Sequence, residues 1–174
     1  QMHWPQPVEQ IEEGWDAMVS LVQQGKVRHI GVSNFTVAQM HRVAGIHPVE
    51  SLQPPYSMLH RDIEQDILPY CGEHRIGVVC YSPMQKGLLT GKFSPEHMQT
   101  LADDDHRRID PDFQGERFRQ NRRIVEALKP IAERSGRTMP QLAIAWVLRR
   151  DEVTAAIVGA RKQKQIEETV RAGD

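Results

Sequence analysis

The chain carries no glycine-rich nucleotide fingerprint: neither G-x-G-x-x-G nor G-x-x-x-x-G-K-[ST] occurs. Its polar residues of interest lie instead where short apolar runs end. His3 follows a possible strand stub, Ser33 and Asn34 follow a first apolar run, and Gln53 ends a second. Tyr81 and Ser82 end a third, and Gly159, Ala160 and Arg161 follow the last. One polar residue at a strand end carries no information, because strands must end somewhere. Every full strand ending in groups able to contact a ligand is more informative. In a parallel barrel such positions point to one rim, where active sites form. No metal chemistry is suggested, since Cys71 and Cys80 lack ligand spacing and the 8 histidines are scattered.

The elements that must position these residues alternate. Val8 to Gln24 has helical spacing, with Ile11, Trp15, Met18, Val19 and Val22 on one face, and Gly25 as a terminator. A strand is predicted at 27–32, then a helix capped by Thr36 and running to about Ala44. A second strand is predicted at 51–53, then a helix from Ile63 to about His74 capped by Asp62. A third strand is predicted at 76–81. Helices follow at Glu116 to Arg134 and from Pro140 to Arg150, then a strand at 153–158 and a helix at about 163–172. Strands alternating with helices imply a parallel α/β sheet. Met84 to Gly115 is too long for an ordinary connection. Its D-D-D-H-R-R at 103–108 reads either as a solvated loop or as a ligand-contacting loop beyond a strand end.

Lys and Arg number 22 against 23 Asp and Glu, which gives no argument for nucleic acid or an anionic membrane as partner. No apolar run approaches the roughly 18 residues of a membrane helix. The two cysteines read as buried free thiols of a reducing cytoplasmic protein. The start at Gln1, already resembling a strand's end, leads us to expect part of a longer polypeptide.

Five segments, in order, resemble motifs of the aldo-keto reductase family: H-W-P at 3–5, G-V-S-N-F at 31–35, Q-P-P-Y-S at 53–57, Y-S-P-M-Q-K-G-L-L-T-G-K at 81–92, and I-V-G-A-R-K-Q-K-Q-I-E-E at 157–168. They are most similar to those of bacterial NADP-dependent reductases of the general-stress-protein type, which also resemble potassium-channel β subunits. The resemblance spans residues 1–174 as a single partial domain. It implies the C-terminal half of a (β/α)8 TIM barrel, with parallel strands and an incomplete barrel, running from the end of strand four through the last helix.

The resemblance also implies residue roles. Ser33, Asn34 and Gln53 match the residues that hold the nicotinamide carboxamide, a group needing both donors and acceptors. Tyr81 matches the aromatic that stacks on the nicotinamide ring. Ser82, Pro83, Met84, Gln85, Lys86, Gly87 and Leu88 match the loop around the pyrophosphate, with Gly87 permitting close approach. Lys92 matches a basic residue near the adenine-side phosphates, and Arg107 matches another on the long loop. Gly159, Ala160 and Arg161 match the turn that receives the 2′-phosphate, which implies NADP as cofactor. Gln165 and Glu168 match adenosine positions, and Thr169 stands where the family usually has Asn.

His3 matches the catalytic histidine that polarises the substrate carbonyl. The family's catalytic Asp, Tyr and Lys have no match here, and neither Tyr56 nor Tyr70 falls at the position of that Tyr. We therefore expect an NADP(H)-dependent oxidoreductase of small aldehydes or ketones whose isolated chain is inactive. The alternatives are a non-catalytic NADP(H)-binding module or regulatory subunit, and a truncated product without a function of its own. Exposed edges of an open parallel sheet would favour self-association.

Overall fold

The structure, a computed structural model, describes residues 1–173. The chain divides into two compact units. The first comprises residues 1–56, 60–81 and 148–157; the second comprises 57–59, 82–147 and 158 onward.

The first unit holds the sheet. Strands β1 (Gly31–Ser33), β2 (Ser51–Gln53), β3 (Gly77–Cys80) and β4 (Val153–Ala156) lie in the order β1-β2-β3-β4, and every pairing is parallel. The expected stub is present as a parallel bridge from Met2 to Val32. Helices α1 (Ile11–Gln23), α2 (Val37–Ala44) and α3 (Ile67–His74) belong to the same unit. Val32, Leu52, Val78 and Cys80 are buried with Trp15, Met40, Val43, Leu68 and Cys71 of the helices. Trp15 has no exposed surface, and its indole N–H donates to the His47 carbonyl (3.0 Å).

Thr36 caps α2 as expected, in a capping box with Gln39. Gly25 ends α1 at φ 68°.

Several boundaries differ from expectation. Regular pairing starts at Gly31 rather than 27, so β1 is 31–33 and Ser33 lies inside it. The helix expected from Val8 opens as a 3-10 turn over Val8–Gln10. The helix expected from Ile63 is a 3-10 turn (Asp62–Glu64) followed by α3, and the Asp62 side chain caps nothing. Pro69 fits this start. It has no N–H and is best tolerated in a helix's first turn, where it sits in α3; the interior Pro130 of α5 shows that this is a preference and not a bar. Beyond α6 (Met139–Leu148), the chain turns through a bond from Val153 N–H to the Arg150 carbonyl (2.9 Å), so that helix stops short of Arg150. β4 ends at Ala156 rather than 158.

The second unit carries α4 (Pro95–Gln99), α5 (Gly115–Arg134), most of α6, and α7 (Gln163–Thr169). α7 gives way to a 3-10 turn at Val170–Gly173, short of the expected continuous helix to 172. The segment 84–115 is no structureless loop. It contains α4, capped by Ser94, and 3-10 turns at Gln85–Thr90, His106–Arg108 and Pro111–Phe113. Leu88, Phe93, Phe113 and Phe118 form one apolar cluster, and Leu89, Val125 and Ala143 form another.

Candidate functional site

In the first unit, the β1–β2 register sets Ser33 opposite Gln53. The Ser33 hydroxyl donates to the Gln53 carbonyl (2.7 Å), and the Asn34 N–H donates to the same oxygen (3.3 Å). Asn34 adopts a left-handed φ of 62°, a conformation Asn tolerates better than most residues. That turn aims its amide back over the strand ends. Its Nδ2 donates to the His3 carbonyl (3.0 Å) and to Ser33 Oγ (3.1 Å), and its Oδ1 accepts from the Tyr81 hydroxyl (2.9 Å).

The structure thus brings Ser33, Asn34, Gln53 and Tyr81 together. His3 joins only through its backbone, while its exposed imidazole stacks on Trp4 with centroids 5.5 Å apart. Among the described residues, the half-buried Gln53 side-chain amide has no hydrogen-bond partner. It keeps both donor and acceptor capacity for a ligand.

In the second unit, the segment 82–88 is conformationally unusual. Ser82, Gln85 and Lys86 have φ of 55°, 45° and 53°, and Gly87 has φ 95°. A side chain on Gly87 would also meet the Phe93 ring, whose Cε2 lies 3.1 Å from an ideal Cβ. In the three non-glycine residues such backbone costs about 1–3 kcal/mol each and persists only where surroundings hold it. Here local turn bonds, Gln85 N–H to the Ser82 carbonyl (2.8 Å) and Gly87 N–H to the Met84 carbonyl (3.1 Å), act together with acidic side chains. The buried Gln85 amide donates to Asp112 Oδ2 (2.5 Å), and Arg117 Nε donates to Asp112 Oδ1 (2.6 Å). Lys86 pairs with Asp110. Arg107 makes a bidentate pair with Asp105 (2.8 and 2.5 Å) and lies over the Phe93 ring, 5.1 Å from its centroid. Hydrogen bonding from Arg107 holds the Asp105 carboxyl well below the usual carboxylate range.

Lys86, Arg107 and Arg161 line a concavity of ≈ 660 Å³, together with His97, Thr100 and His106. Asp104 and Asp105 line the same concavity, and Lys86 and Arg107 already pair with Asp110 and Asp105, so an anion bound there would compete with these carboxylates for two of the three cations. Lys92 is exposed and lies outside this lining. So do Gln165, Glu168 and Thr169. Gln165 acts locally, since its Oε1 accepts from the N–H groups of Arg161 (2.7 Å) and Lys162 (3.1 Å) and so fixes the Gly159–Ala160–Arg161 turn. The Thr169 hydroxyl back-bonds to the Gln165 carbonyl (2.8 Å), and the Glu168 carbonyl accepts from the Gln141 amide (2.8 Å).

Sequence reasoning did not single out Asp105, Asp110 or Asp112 as partners of the basic residues. Nor did it single out His97, Thr100 and His106 as lining. The D-x-R spacing of Asp105 and Arg107 was the available signal. Burial pushes both Cys71 and Cys80 thiols up to about 12, which removes them as nucleophiles. No cluster able to hold a metal ion occurs among the described residues. None of the described helices is long and apolar enough to cross a membrane.

The Aldo/keto reductase family model matches residues 1–174. An aldo-keto reductase of Bacillus subtilis, YhdN, is 39% identical over 168 residues, covering 96% of this chain and 50% of that protein. A probable aldo-keto reductase of Glycine max is 36% identical over 162 residues, covering 93% and 46%. Among solved structures, a glycerol dehydrogenase from Gluconobacter oxydans superposes with a TM-score of 0.86 at 36% identity, covering 96% of this chain and 51% of the other. A thermostable aldo-keto reductase in complex with the inhibitor epalrestat gives 0.72 at 26% identity, with 98% and 52% covered. The chain therefore spans about half the length of the relatives it matches.

Proposed function

Because this chain belongs to the aldo-keto reductase family, a family of (β/α)8-barrel oxidoreductases, we propose that it carries the NADP(H)-binding residues of an oxidoreductase acting on small aldehydes or ketones in the cytoplasm. The observation that carries this reading is the concavity lined by Lys86, Arg107 and Arg161 beside the left-handed 82–88 segment. NADPH, when bound, supplies a hydride to a carbonyl carbon.

Each unit offers one part of the required chemistry. In the first, Gln53 and Asn34 bind the carboxamide, and the Tyr81 ring, held by Asn34, orients the nicotinamide. Ser33 fixes the Gln53 carbonyl. His3 polarises the substrate carbonyl. In the second, Lys86 and Arg107 receive phosphate oxygens, Arg161 receives the 2′-phosphate, and Gln165 holds the Arg161 turn. Gly87 and its neighbours from Ser82 to Leu88 form the phosphate loop.

We also propose that this chain alone does not turn over. General acid catalysis needs a group whose pKa suits the working pH. Burial, reinforced by the Glu64 hydrogen bond, pushes the Tyr56 hydroxyl up to about 12, and burial raises Tyr70. Neither falls at the position of the family's catalytic Tyr, and the burial of Tyr56 makes it a poor acid; this favours a binding role for the isolated chain over a catalytic one.

Calorimetric titration of the chain with NADP⁺ and with 2′,5′-ADP tests the reading, alongside an assay of NADPH oxidation with an aldehyde panel. Saturable binding of both compounds and no measurable turnover are expected. Absence of binding would remove the cofactor assignment. Turnover on the order of 1 s⁻¹ would show that the catalytic residues have been misassigned.

A further inference from the structure

Tyr56, Glu64 and Arg149 form a polar cluster in the first unit that the proposed cofactor contacts do not use. Tyr56 has no exposed surface, so its hydroxyl requires an internal partner. It donates to Glu64 Oε1 (2.5 Å). Arg149 donates to the same Oε1 (3.1 Å) and to the Tyr56 oxygen (3.2 Å). Arg61 donates twice to Glu64 Oε2 (3.1 and 2.7 Å). A carboxylate accepts about four hydrogen bonds, and each Glu64 oxygen receives two. The side chain is only 16% exposed, and this complete set of donors is what makes a mostly buried charge acceptable.

The cluster also fixes backbone. Regular pairing of β2 with β3 covers Ser51–Gly77 and Leu52–Val78 only. Tyr81 lies beyond it and is held by two bonds from a separate stretch. Its N–H donates to the Pro54 carbonyl (3.0 Å), and its carbonyl accepts from the Tyr56 N–H (3.2 Å). The Tyr81 hydroxyl then reaches Asn34. A continuous path therefore runs from the Glu64 carboxylate through the Tyr56 side chain and backbone to Tyr81 and on to Asn34.

We infer that Glu64 is a positioning residue: through Tyr56 it sets the placement of Tyr81, and so the geometry offered to the nicotinamide ring. The ligand half of this statement rests on the cofactor reading above; the positional half does not.

The test uses the full chain with Glu64→Gln and Tyr56→Phe, the latter keeping the buried ring. Two measurements separate positioning from plain stability. The first is amide hydrogen exchange at Tyr81 against Val78 and Leu52, which lie within the ladder. Losing one hydrogen bond of ordinary strength should speed Tyr81 exchange by about tenfold, with little change at the other two. The second is affinity for NADP⁺ against 2′,5′-ADP, which has no nicotinamide. NADP⁺ should weaken by a few-fold to about tenfold, while 2′,5′-ADP stays constant.

Equal acceleration at all three amides, an unchanged Tyr81, or loss of fold in both variants would overturn the positioning role. If only Glu64→Gln failed to fold, Tyr56→Phe would decide. If the unaltered chain bound neither compound, the cofactor reading would fall, while the exchange data would still decide whether Glu64 positions Tyr81.

Discussion

The two units hold their candidate ligand groups by different means. In the first, the strand ladder supplies most of the constraint: Ser33 and Gln53 face each other because β1 and β2 are in register there. Asn34, the one left-handed non-glycine among these groups, follows directly from that ladder. In the second, none of the described residues lies in a strand ladder. Ser82, Gln85, Lys86 and Gly87 are held in left-handed backbone by local turn bonds (Gln85 N–H to the Ser82 carbonyl, 2.8 Å, and Gly87 N–H to the Met84 carbonyl, 3.1 Å) together with side-chain contacts, chiefly Gln85–Asp112 and Lys86–Asp110. A strand ladder tolerates side-chain substitution, whereas a left-handed turn that also depends on buried side-chain contacts tolerates it less. The 82–88 segment is therefore the mutationally fragile part, and the amide cluster the robust one.

The sharpest way to break this contrast is Asp112→Ala. Asp112 is 4% exposed, and its removal strands the buried Gln85 amide. A loss of about 2–3 kcal/mol is expected, measured by urea denaturation, with 2′,5′-ADP binding lost in parallel. Ser33→Ala, removing the hydroxyl bond while leaving the ladder, should cost only about 1 kcal/mol. A larger loss at Ser33 than at Asp112 would reverse the ranking of the two units.

The second prediction concerns cofactor choice. The 2′-phosphate alone separates NADP(H) from NAD(H), and a hydrogen bond to a charged group contributes about 1.5–3 kcal/mol. Arg161→Ala should thus weaken NADPH binding by roughly tenfold to a hundredfold and leave NADH nearly unchanged, as read by fluorescence titration. Equal losses for both would mean that Arg161 supports the turn rather than a phosphate.

What could be read from the sequence divides along the same line. The parallel strands, the 51–53 boundaries and the Thr36 cap were all legible, because each depends on local pattern. So was the convergence of Ser33, Asn34, Gln53 and Tyr81, since strand ends in a parallel sheet share a side. The start of α3 was legible only in part from Pro69, which favours a first-turn position but, as Pro130 inside α5 shows, does not dictate one. Within 84–115, Asp105 and Asp110 each accept a backbone N–H two residues on (3.0 and 2.9 Å), a local pattern that marks turns. The Gln85–Asp112 and Tyr56–Glu64–Arg149 contacts were not legible. They join residues 27 and up to 93 positions apart, and no periodicity encodes that.

A third prediction probes the first unit by pH. Hydrogen bonding from Arg61, reinforced by Tyr56 and Arg149, lowers the Glu64 carboxyl to about 2. A depressed folded-state value means the stabilisation is complete above the unfolded value near 4.5 and is lost as pH falls toward 2. After allowance for solvent screening, the loss is about 1 kcal/mol. Urea midpoints between pH 5 and pH 2.5 (a window set by those two values) should fall more steeply for the unaltered chain than for Glu64→Gln. Parallel slopes would detach Glu64 from the acid response.

The smallest expected effect is at Lys92, and it sharpens the contrast from the side of the second unit. Family resemblance assigns this residue to the adenine-side phosphates. In the structure its side chain is exposed, and the concavity is lined by Lys86, Arg107 and Arg161 without it. A solvated ammonium outside the lining acts on a bound anion only at long range, through water and salt, where charge pairs contribute between about 0 and 1 kcal/mol. Lys92→Ala should therefore change 2′,5′-ADP affinity by about twofold or less at physiological ionic strength. Lys86→Ala, removing a cation from the lining, should cost about tenfold. Titrations of both variants at low and physiological salt compare them directly. A salt-insensitive loss at Lys92 as large as that at Lys86 would place its ammonium in direct contact with phosphate, and the phosphate site would then have to be redrawn around the 90–92 turn instead of the 105–107 segment.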